Sequence, residues 1–215
     1  MPIAVIADII GSRRLDDRES AQHTLDDAIA RAEADFPLAR QPFRPTAGDE
    51  QQAVYDTLEA ALASTLLLQL TLPDAVAFRF GMGIGALSPI PTAAGEIPEG
   101  PAWWAAREAI NTVHAKQRRA APSARAWVVG DADETEGMST SVPLANAYLL
   151  ARDQIVTAMS ERTRRLTYGR CLDRSQKDLA RNEGITQSAV SQALTGAGAS
   201  ALVEGFQSLT RRAAS

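Results

Sequence analysis

The alternation of apolar and polar residues divides the first 130 residues into short strands and amphipathic helices. Residues 3–10 are almost continuously apolar, which is typical of a strand that is buried on both faces. Residues 16–35 carry Leu25, Ile29 and Ala32 on one helical face and charged residues on the other. The same patterns predict strands at 43–46 and 51–55, a helix at 58–72, a strand at 76–85, a helix at 103–117 and a strand at 124–129.

The order of these elements, β-α-β-β-α-β-α-β, predicts an α+β fold. Two βα units around a hairpin favour a ferredoxin-like plan, with an antiparallel or mixed sheet and helices on one face. The Pro- and Gly-rich residues 88–100 predict a loop. In this plan the first strand and the hairpin are neighbours, so we expect Asp8 and Asp49 to face each other across adjacent strands.

Asp8 and Asp49 are the candidate chemical groups of the predicted sheet. Asp8 interrupts the apolar run near its end, where an uncompensated buried carboxylate is costly. Gly48 and Asp49 tolerate the positive φ of a tight turn, which places Asp49 and Glu50 at or just after the hairpin tip. The alternatives are a helix cap or turn at Asp8 and a solvated acidic turn at 48–50.

Magnesium chemistry is what these two carboxylates favour. Together with the main-chain carbonyl of Ile9 they would suit Mg²⁺, which takes oxygen ligands and substrate phosphates. Metal ions held in this way align the attacking and leaving oxygens of phosphoryl or nucleotidyl transfer. Ile10, Gly11 and Ser12 follow directly, and if a helix begins there, their amide groups could hold a phosphate.

The C-terminal third of the chain predicts helices only. Residues 144–166 predict one long helix with an exposed basic end at Arg162, Arg164 and Arg165. From Arg152 onward there are ten Lys/Arg against six Asp/Glu, whereas residues 1–151 carry twelve against twenty. An acidic body with a basic tail indicates two functions on one chain, with a tail that meets nucleic acid. Chance segregation of charge is the alternative.

Residues 175–194 match the helix-turn-helix pattern of DNA-binding proteins. Ala180 is the small residue where two helices cross, and Gly184, four residues later, makes the turn. Ser175 and Thr186 are suitable N-caps for the first and second helices. The alternative is a helix pair that serves only packing or dimerisation.

The second helix, at 186–194, would be the recognition helix. Its outward-facing side chains would read base edges or hold phosphates, and they are Thr186, Gln187, Ser188, Ser191 and Gln192. Arg174, Lys177 and Arg181 could reach the phosphate backbone. Because the recognition helix carries no Arg or Lys, we expect affinity to come from flanking charge and from a homodimer.

Composition limits the setting in which the chain acts. The single cysteine, Cys171, excludes an internal disulfide and a cysteine-based zinc cluster, which favours a reducing cytoplasm. The first residues carry no basic segment of a signal peptide, and no apolar run has the roughly 20 residues of a membrane span. We therefore expect a cytoplasmic protein with no membrane partner.

Four segments together resemble the SatD family of bacterial proteins, and the C-terminal segment is also similar to that of the family. They are residues 8–12, residues 48–50, residues 80–85 and residues 100–107. More distantly, the first 130 residues resemble the nucleotidyl cyclase fold that GGDEF diguanylate cyclases and class III adenylate cyclases share. This resemblance implies metal-ligand roles for Asp8, Ile9 and Asp49, and it places Arg107 where class III cyclases carry a transition-state arginine.

Two departures from the cyclase patterns weigh against cyclase activity but not against nucleotide binding. The GGDEF signature reads Ala-Gly-Asp-Glu-Gln at 47–51, and Trp103 replaces the asparagine of class III cyclases. Trp103 could fill a base pocket, stack on a base or pack the core. The nucleotide-binding residues would be Ile9, Ile10, Gly11, Ser12, Gly48, Asp49, Trp103 and Arg107.

These observations lead to three functional hypotheses. The first is a DNA-binding regulator with a nucleotidyl-cyclase-like domain at 1–135, a long, possibly dimerising helix at 136–168 and a helix-turn-helix domain at 169–215. Its N-terminal domain would sense a nucleotide or cyclic nucleotide. The second is a Mg²⁺-dependent nucleotidyl cyclase or nucleotidyltransferase that uses Asp8 and Asp49, with Arg107 as a catalytic group. The third is a nucleotide-independent interaction protein with a relic pocket.

Overall fold

A mixed β-sheet lies at the centre of the computed structural model, which describes residues 1–11, 18–46, 50–92, 95–130 and 136–213. The strands in these residues are β1 (Ile3–Ile9), β2 (Gln41–Pro45), β3 (Gln51–Tyr55), β4 (Phe78–Ile84), β5 (Ile90–Thr92), β6 (Gly95–Ile97) and β7 (Ala126–Gly130). The helices are α1 (Arg18–Asp35), α2 (Leu58–Thr71), α3 (Pro101–Gln117), α4 (Glu136–Ala158), α5 (Glu161–Cys171), α6 (Gln176–Glu183), α7 (Gln187–Gly196) and α8 (Ala199–Ala213). None of these helices is both long enough and apolar enough to cross a membrane.

The strand order of the main sheet is β2-β3-β1-β4-β7. The central strand β1 is antiparallel to both β3 and β4, and β2 is antiparallel to β3. The last strand, β7, is parallel to β4 because α3 crosses over between them. The predicted α+β class, the mixed sheet and the pairing of the first strand with the hairpin are confirmed.

Helices cover both faces of the sheet, so the prediction of helices on one face is wrong. Val5 and Phe80 pack on the side of α1 and α2, whereas Ala4 and Ile6 pack against α3. The reason lies in β1, whose alternate side chains are apolar on both faces, so that each face requires cover. The fold keeps the sheet between two apolar layers.

Residues 88–100, predicted as a loop, contain the small two-stranded sheet of β5 and β6. Ile90 lies opposite Ile97, and about half of each side chain is exposed, 48% and 50%. The paired strands are only three residues long, which is too short for a hydrophobic pattern to distinguish them from a loop.

The predicted long helix at 144–166 is wrong, because two helices occupy this region. Helix α4 ends at Ala158, and α5 begins at Glu161 after Ser160, whose hydroxyl accepts a hydrogen bond from the amide of Thr163. Arg164, predicted to be exposed, is buried. Its guanidinium donates to the carbonyls of Met159 and Leu72 and to Asp74 Oδ1, at 2.9, 3.1 and 2.6 Å.

Buried polar side chains of helix α4 bind it to β7 through hydrogen bonds. Arg152 and Asp153 form an ion pair of 2.9 Å in which both side chains are fully buried. Asp153 Oδ2 accepts hydrogen bonds from the amides of Arg125 and Ala126, and Asn146 bonds both main-chain groups of Val128. These contacts cover the open edge of the sheet, where unpaired main-chain groups would otherwise remain.

The C-terminal helices share the core of the sheet rather than forming a separate body. Helix α2 is apolar on all sides, so it needs cover on the side away from the sheet. Helices α5 and α8 supply that cover, and Phe206 of α8 meets Phe36 edge to face at 5.3 Å. A separate helix-turn-helix domain is therefore not shown, and the predicted division at 135 and 168 remains a prediction.

Candidate functional site

The carboxyl end of β1 brings Asp8 onto the face of the sheet that α3 covers. Because side chains alternate along a strand, Asp8 shares this face with Ala4 and Ile6, while Ile9 is buried under the opposite layer. Asp8 lies opposite Arg79 in the register of β1 and β4, and its Oδ1 is 3.1 Å from Nε of Arg79. The side chain of Arg79 is 9% exposed and that of Asp8 is 32% exposed. The carboxylate of Asp8 therefore compensates the charge of the nearly buried Arg79. The contact between Oδ1 and Nε is an ion pair whose geometry is not that of a hydrogen bond.

Arg107 of α3 reaches the same face of the sheet from above. Its Nη2 donates to both carboxylate oxygens of Glu50, at 2.8 and 2.6 Å, and Gln52 Nε2 donates to Glu50 Oε1 at 3.1 Å. Gln52 lies opposite Ile6, which places this cluster on the α3 side. Sequence reasoning missed Glu50 as a site residue. The available signal was its spacing of two residues from Gln52, which predicts one shared strand face.

Glycines on β4 allow α3 to approach the sheet closely enough for these contacts. A Cβ added at Gly83 would overlap the carbonyl of Ala102, and one added at Gly81 would overlap the carbonyl of Ala106. The alternation of bulky and small residues in this strand predicts such a close backbone approach. The structure confirms it, and Arg107 owes its position over β3 to this contact.

The structure describes some of the residues predicted to bind a phosphate, whereas others lie outside the described residues. The amide of Ile10 donates to the carbonyl of Ala77 at 2.8 Å, so a strand contact already uses it. Gly11 has a φ of 75°, a left-handed conformation that suits glycine. Ser12, Gly48 and Asp49 lie outside the described residues, so the convergence of Asp49 on Asp8 stays a prediction.

The two tryptophans at the start of α3 have different surroundings. Trp103 is half-buried and packs against the apolar cluster under α3. Trp104 is 63% exposed, and its Nε1 donates to Glu99 Oε1 at 2.7 Å. Trp103 lies four residues before Arg107, which puts the two on the same side of the helix.

His114 is an exposed residue in the C-terminal part of α3. Desolvation, followed by the repulsion of Arg79 and Arg118, lowers the pKa of His114 below its usual value of 6.5. Both effects disfavour the charged imidazolium.

The described residues alone do not form a magnesium site. No group of three or more His, Cys, Asp or Glu among them is arranged to hold a metal ion. Asp8 faces the guanidinium of Arg79, and Glu50 is held by Arg107. The proposed set of Asp8, the carbonyl of Ile9 and Asp49 therefore depends on a residue outside the described ones.

Helices α6 and α7 lie in the segment predicted as a helix-turn-helix. The hydroxyls of Ser175 and Thr186 accept hydrogen bonds from the amides of Asp178 and Ala189 and cap the two helices, as predicted. Gly184 ends α6 in the left-handed conformation, with φ 65°, and the amide of Ile185 bonds the carbonyl of Ala180 at 3.0 Å. These bonds determine the angle at which α7 leaves α6.

The outer face of α7 is polar and exposed. Val190 and Leu194 turn inward and are buried. The residues predicted to read DNA are all exposed, and they are Thr186, Gln187, Ser188, Ser191 and Gln192. In the described residues no side chain of α7 carries a charge.

The three cations expected to reach a phosphate backbone are exposed, but two of them already face carboxylates. Arg181 lies 3.1 Å from Asp178, and Arg174 lies 3.5 Å from Asp35 of α1. Lys177 is exposed, with no salt bridge inside the described part of the chain. Of these three cations, only Lys177 faces no carboxylate in the described residues.

Comparison with known proteins gives a family match over almost the entire chain. The model of the SatD family matches residues 2–205. Among solved structures, that of a bacterial light-regulated adenylyl cyclase is similar at 11% sequence identity and a TM-score of 0.40. The similarity covers 56% of this chain and 71% of that chain. No curated protein matches this chain in sequence.

Proposed function

The chain belongs to the SatD family, and from the exposed polar face of α7 we propose that it is a DNA-binding transcriptional regulator. Its N-terminal part would sense a nucleotide or cyclic nucleotide. The observation that carries the proposal is a capped second helix whose buried residues lock it onto α6 while its outer face carries only hydroxyl and amide side chains. Residues at the start of a recognition helix contact base edges in the major groove.

The chemistry of this face fits double-stranded DNA. Gln187 and Gln192 can make paired hydrogen bonds to adenine, and Ser188 and Ser191 can bond either a base edge or a phosphate. With few cations beside it, one reading head should bind weakly. The proposal therefore includes a homodimer, in which two heads contact half-sites about one helical turn apart.

The proposed sensor is the cluster of Arg107, Glu50 and Gln52 on the α3 side of the sheet, called here the sheet edge around Arg107. Trp103 offers an aromatic surface beside it. The strand order β4-β1-β3-β2, with helices between β1 and β2 and between β3 and β4, fits the ferredoxin-like plan. Mg²⁺ would accompany the nucleotide only if Asp49 joins Asp8. A bound nucleotide would compete with Glu50 for Arg107.

Replacing Gln187 and Gln192 together by alanine is expected to weaken DNA binding at least about tenfold, since each paired contact to a base contributes about 1–3 kcal/mol. Fragments of the source genome that bind the wild-type chain would be selected by gel shift, and their affinity measured by fluorescence anisotropy. Gln41→Ala, on an exposed glutamine of β2, is the matched control. If the wild-type chain binds no fragment, with or without nucleotides, the regulator proposal fails.

Arg107→Gln is expected to weaken nucleotide binding about tenfold or more, because a charged hydrogen-bond donor is lost. Stability should change by less than about 1 kcal/mol, since the guanidinium is half exposed. Titration calorimetry against a panel of nucleotides and cyclic nucleotides, with and without Mg²⁺, measures this. Arg119→Gln, at an exposed arginine outside the cluster, is the control. Equal affinity in wild type and Arg107→Gln would contradict the sensor site.

Two alternative functions each have one supporting observation. The partly exposed Asp8 at the end of β1 favours a Mg²⁺-dependent nucleotidyl cyclase or nucleotidyltransferase. The pairing of Arg107 with Glu50 inside the chain favours an interaction protein with a relic pocket. Incubation with each nucleoside triphosphate and Mg²⁺ or Mn²⁺, followed by mass spectrometry, separates them. Product formation that Asp49→Asn abolishes would support the enzyme, and absence of nucleotide binding would support the relic pocket.

A further inference from the structure

A cavity of about 420 Å³ lies between the helices beside the sheet and the first helix of the helix-turn-helix. Residues of α1, α2, α5 and α6 line it, together with Arg174 from the turn between α5 and α6. Its volume falls in the range of small-molecule sites in proteins. The cavity is separate from the sheet edge around Arg107, which α3 covers.

Two ion pairs line this cavity, Arg165 with Glu183 and Arg174 with Asp35. Nε and Nη2 of Arg165 donate to the two carboxylate oxygens of Glu183, both at 2.8 Å, and these bonds hold the pKa of Glu183 below its usual range. Asp35 accepts a hydrogen bond from the hydroxyl of Tyr168 at 2.8 Å and lies 3.5 Å from Nη2 of Arg174. Both carboxylates are therefore already compensated.

Arg31 adds a further positive charge to the cavity lining. Within the described part of the chain it takes part in no salt bridge or side-chain hydrogen bond. Burial and then the hydrogen bond to Asp35 raise the pKa of Tyr168, while the charges of Arg31 and Arg174 act in the opposite direction. The cavity lining thus has three cations, Arg31, Arg165 and Arg174, and two carboxylates, Asp35 and Glu183.

The rest of the lining is suited to the body of a small molecule. Leu70, Leu166 and Leu179 are buried and form an apolar surface. Asn182 of α6 adds an exposed amide, for which the described residues provide no hydrogen-bond partner. A ligand here would meet both cations and apolar side chains.

We propose that this cavity binds a phosphate-bearing small molecule of about mononucleotide size. A phosphate offers several acceptor oxygens in one group, so it can accept from Arg31, Arg174 and the amide of Asn182 together. The apolar surface of leucines takes the remainder of the ligand. Such a molecule would connect α1 to α6, so it would restrain the helix from which the recognition helix α7 extends.

The consequence for DNA rests on the proposed function, but the binding itself does not. Inorganic pyrophosphate and AMP are the probes for titration calorimetry with the full chain. Arg31→Gln should weaken the binding of both probes at least about tenfold, since it removes a charged donor. Arg119→Gln, at an exposed arginine outside the cavity, should bind both probes as wild type does. AMP should also slow amide hydrogen exchange in residues 176–183 of the wild-type chain.

Three results would overturn the inference. They are the absence of saturable binding of either probe, equal affinity in Arg31→Gln and wild type, and loss of AMP binding in Arg107→Gln but not in Arg31→Gln. The last result would place the ligand at the sheet edge instead. Failure of the chain to bind DNA would leave the calorimetric result unchanged, so the two proposals fail separately. Arg31 is exposed, so its variant is expected to fold.

Discussion

Asp153→Ala is expected to lower the free energy of unfolding by about 3–5 kcal/mol, because it leaves Arg152 buried without its counter-charge. Both side chains are fully buried, and the carboxylate also accepts from Gln69 and from the amides of Arg125 and Ala126. The substitution therefore leaves a buried cation without its counter-charge and several buried donors without their acceptor, although Arg152 keeps its contacts with Leu62 and Thr65. Urea unfolding followed by circular dichroism measures the loss.

The matched control for this prediction is Asp27→Ala. Asp27 is exposed on α1, and no hydrogen bond or salt bridge in the described residues involves its side chain. Its replacement should change stability by less than about 0.5 kcal/mol. A loss below about 1 kcal/mol for Asp153→Ala would mean that α4 does not hold the edge of the sheet through this pair.

Gly83→Val is expected to cost about 3 kcal/mol or more, at the upper end of what an overpacked core costs. A Cβ at this position already overlaps the carbonyl of Ala102, so α3 must move away from β4. The overlapped atom belongs to the main chain of α3, which cannot rotate away as the end of a flexible side chain can. Because Arg107 meets Glu50 only when α3 is close, the variant should also lose nucleotide binding. Unfolding and calorimetry on the same sample test both effects.

Gly196→Ala is the control for the glycine substitution. An added Cβ at this position has no heavy atom within 4 Å, and its φ is not in the left-handed region. We expect no loss of stability there, since alanine favours helix more than glycine does. A Gly83→Val variant with wild-type stability would contradict the close approach of α3 to the sheet.

Apart from the short strands β5 and β6, the predicted order of strands and helices up to residue 130 agrees with the structure, because hydrophobic periodicity is local information. Helices α1 and α2 lie within about two residues of their predicted ends. The caps and the turn of α6 and α7 agree with the prediction for the same reason, while their role as a helix-turn-helix stays a prediction. The caps at Ser175 and Thr186 and the turn at Gly184 depend on bonds between residues no more than five positions apart.

Errors arose where distant contacts decide the outcome. Arg164 looked like the exposed end of a basic helix, yet its hydrogen bond to the carbonyl of Leu72 joins residues 92 positions apart. The burial of Arg152 and Asp153 likewise depends on α2 and β7. A periodic pattern identifies which side of a helix is polar, but it does not indicate that an ion pair is enclosed there.

The candidate site was predicted only in part. Asp8 and Arg107 were singled out, and the structure places both on the α3 side of the sheet. The ion pairs that these two residues form, Asp8 with Arg79 and Arg107 with Glu50, were not predicted. Which side chains pair depends on the register between strands and on how closely α3 approaches the sheet. Asp49 lies outside the described residues, so its part in the site stays a prediction.

The sequence by itself determined the family, the succession of the main strands and helices through residue 130, and the two capped helices α6 and α7 with the polar outer face of α7. Each of these features depends on side chains a few positions apart, so their spacing along the sequence is enough to predict it. Only the tertiary structure decided that α3 covers the second face of the sheet, that α8 joins the C-terminal helices to α2, and that a cation-rich cavity lies beside α6. Those features depend on which apolar faces remain uncovered once the sheet has formed, and long-range packing alone resolves that.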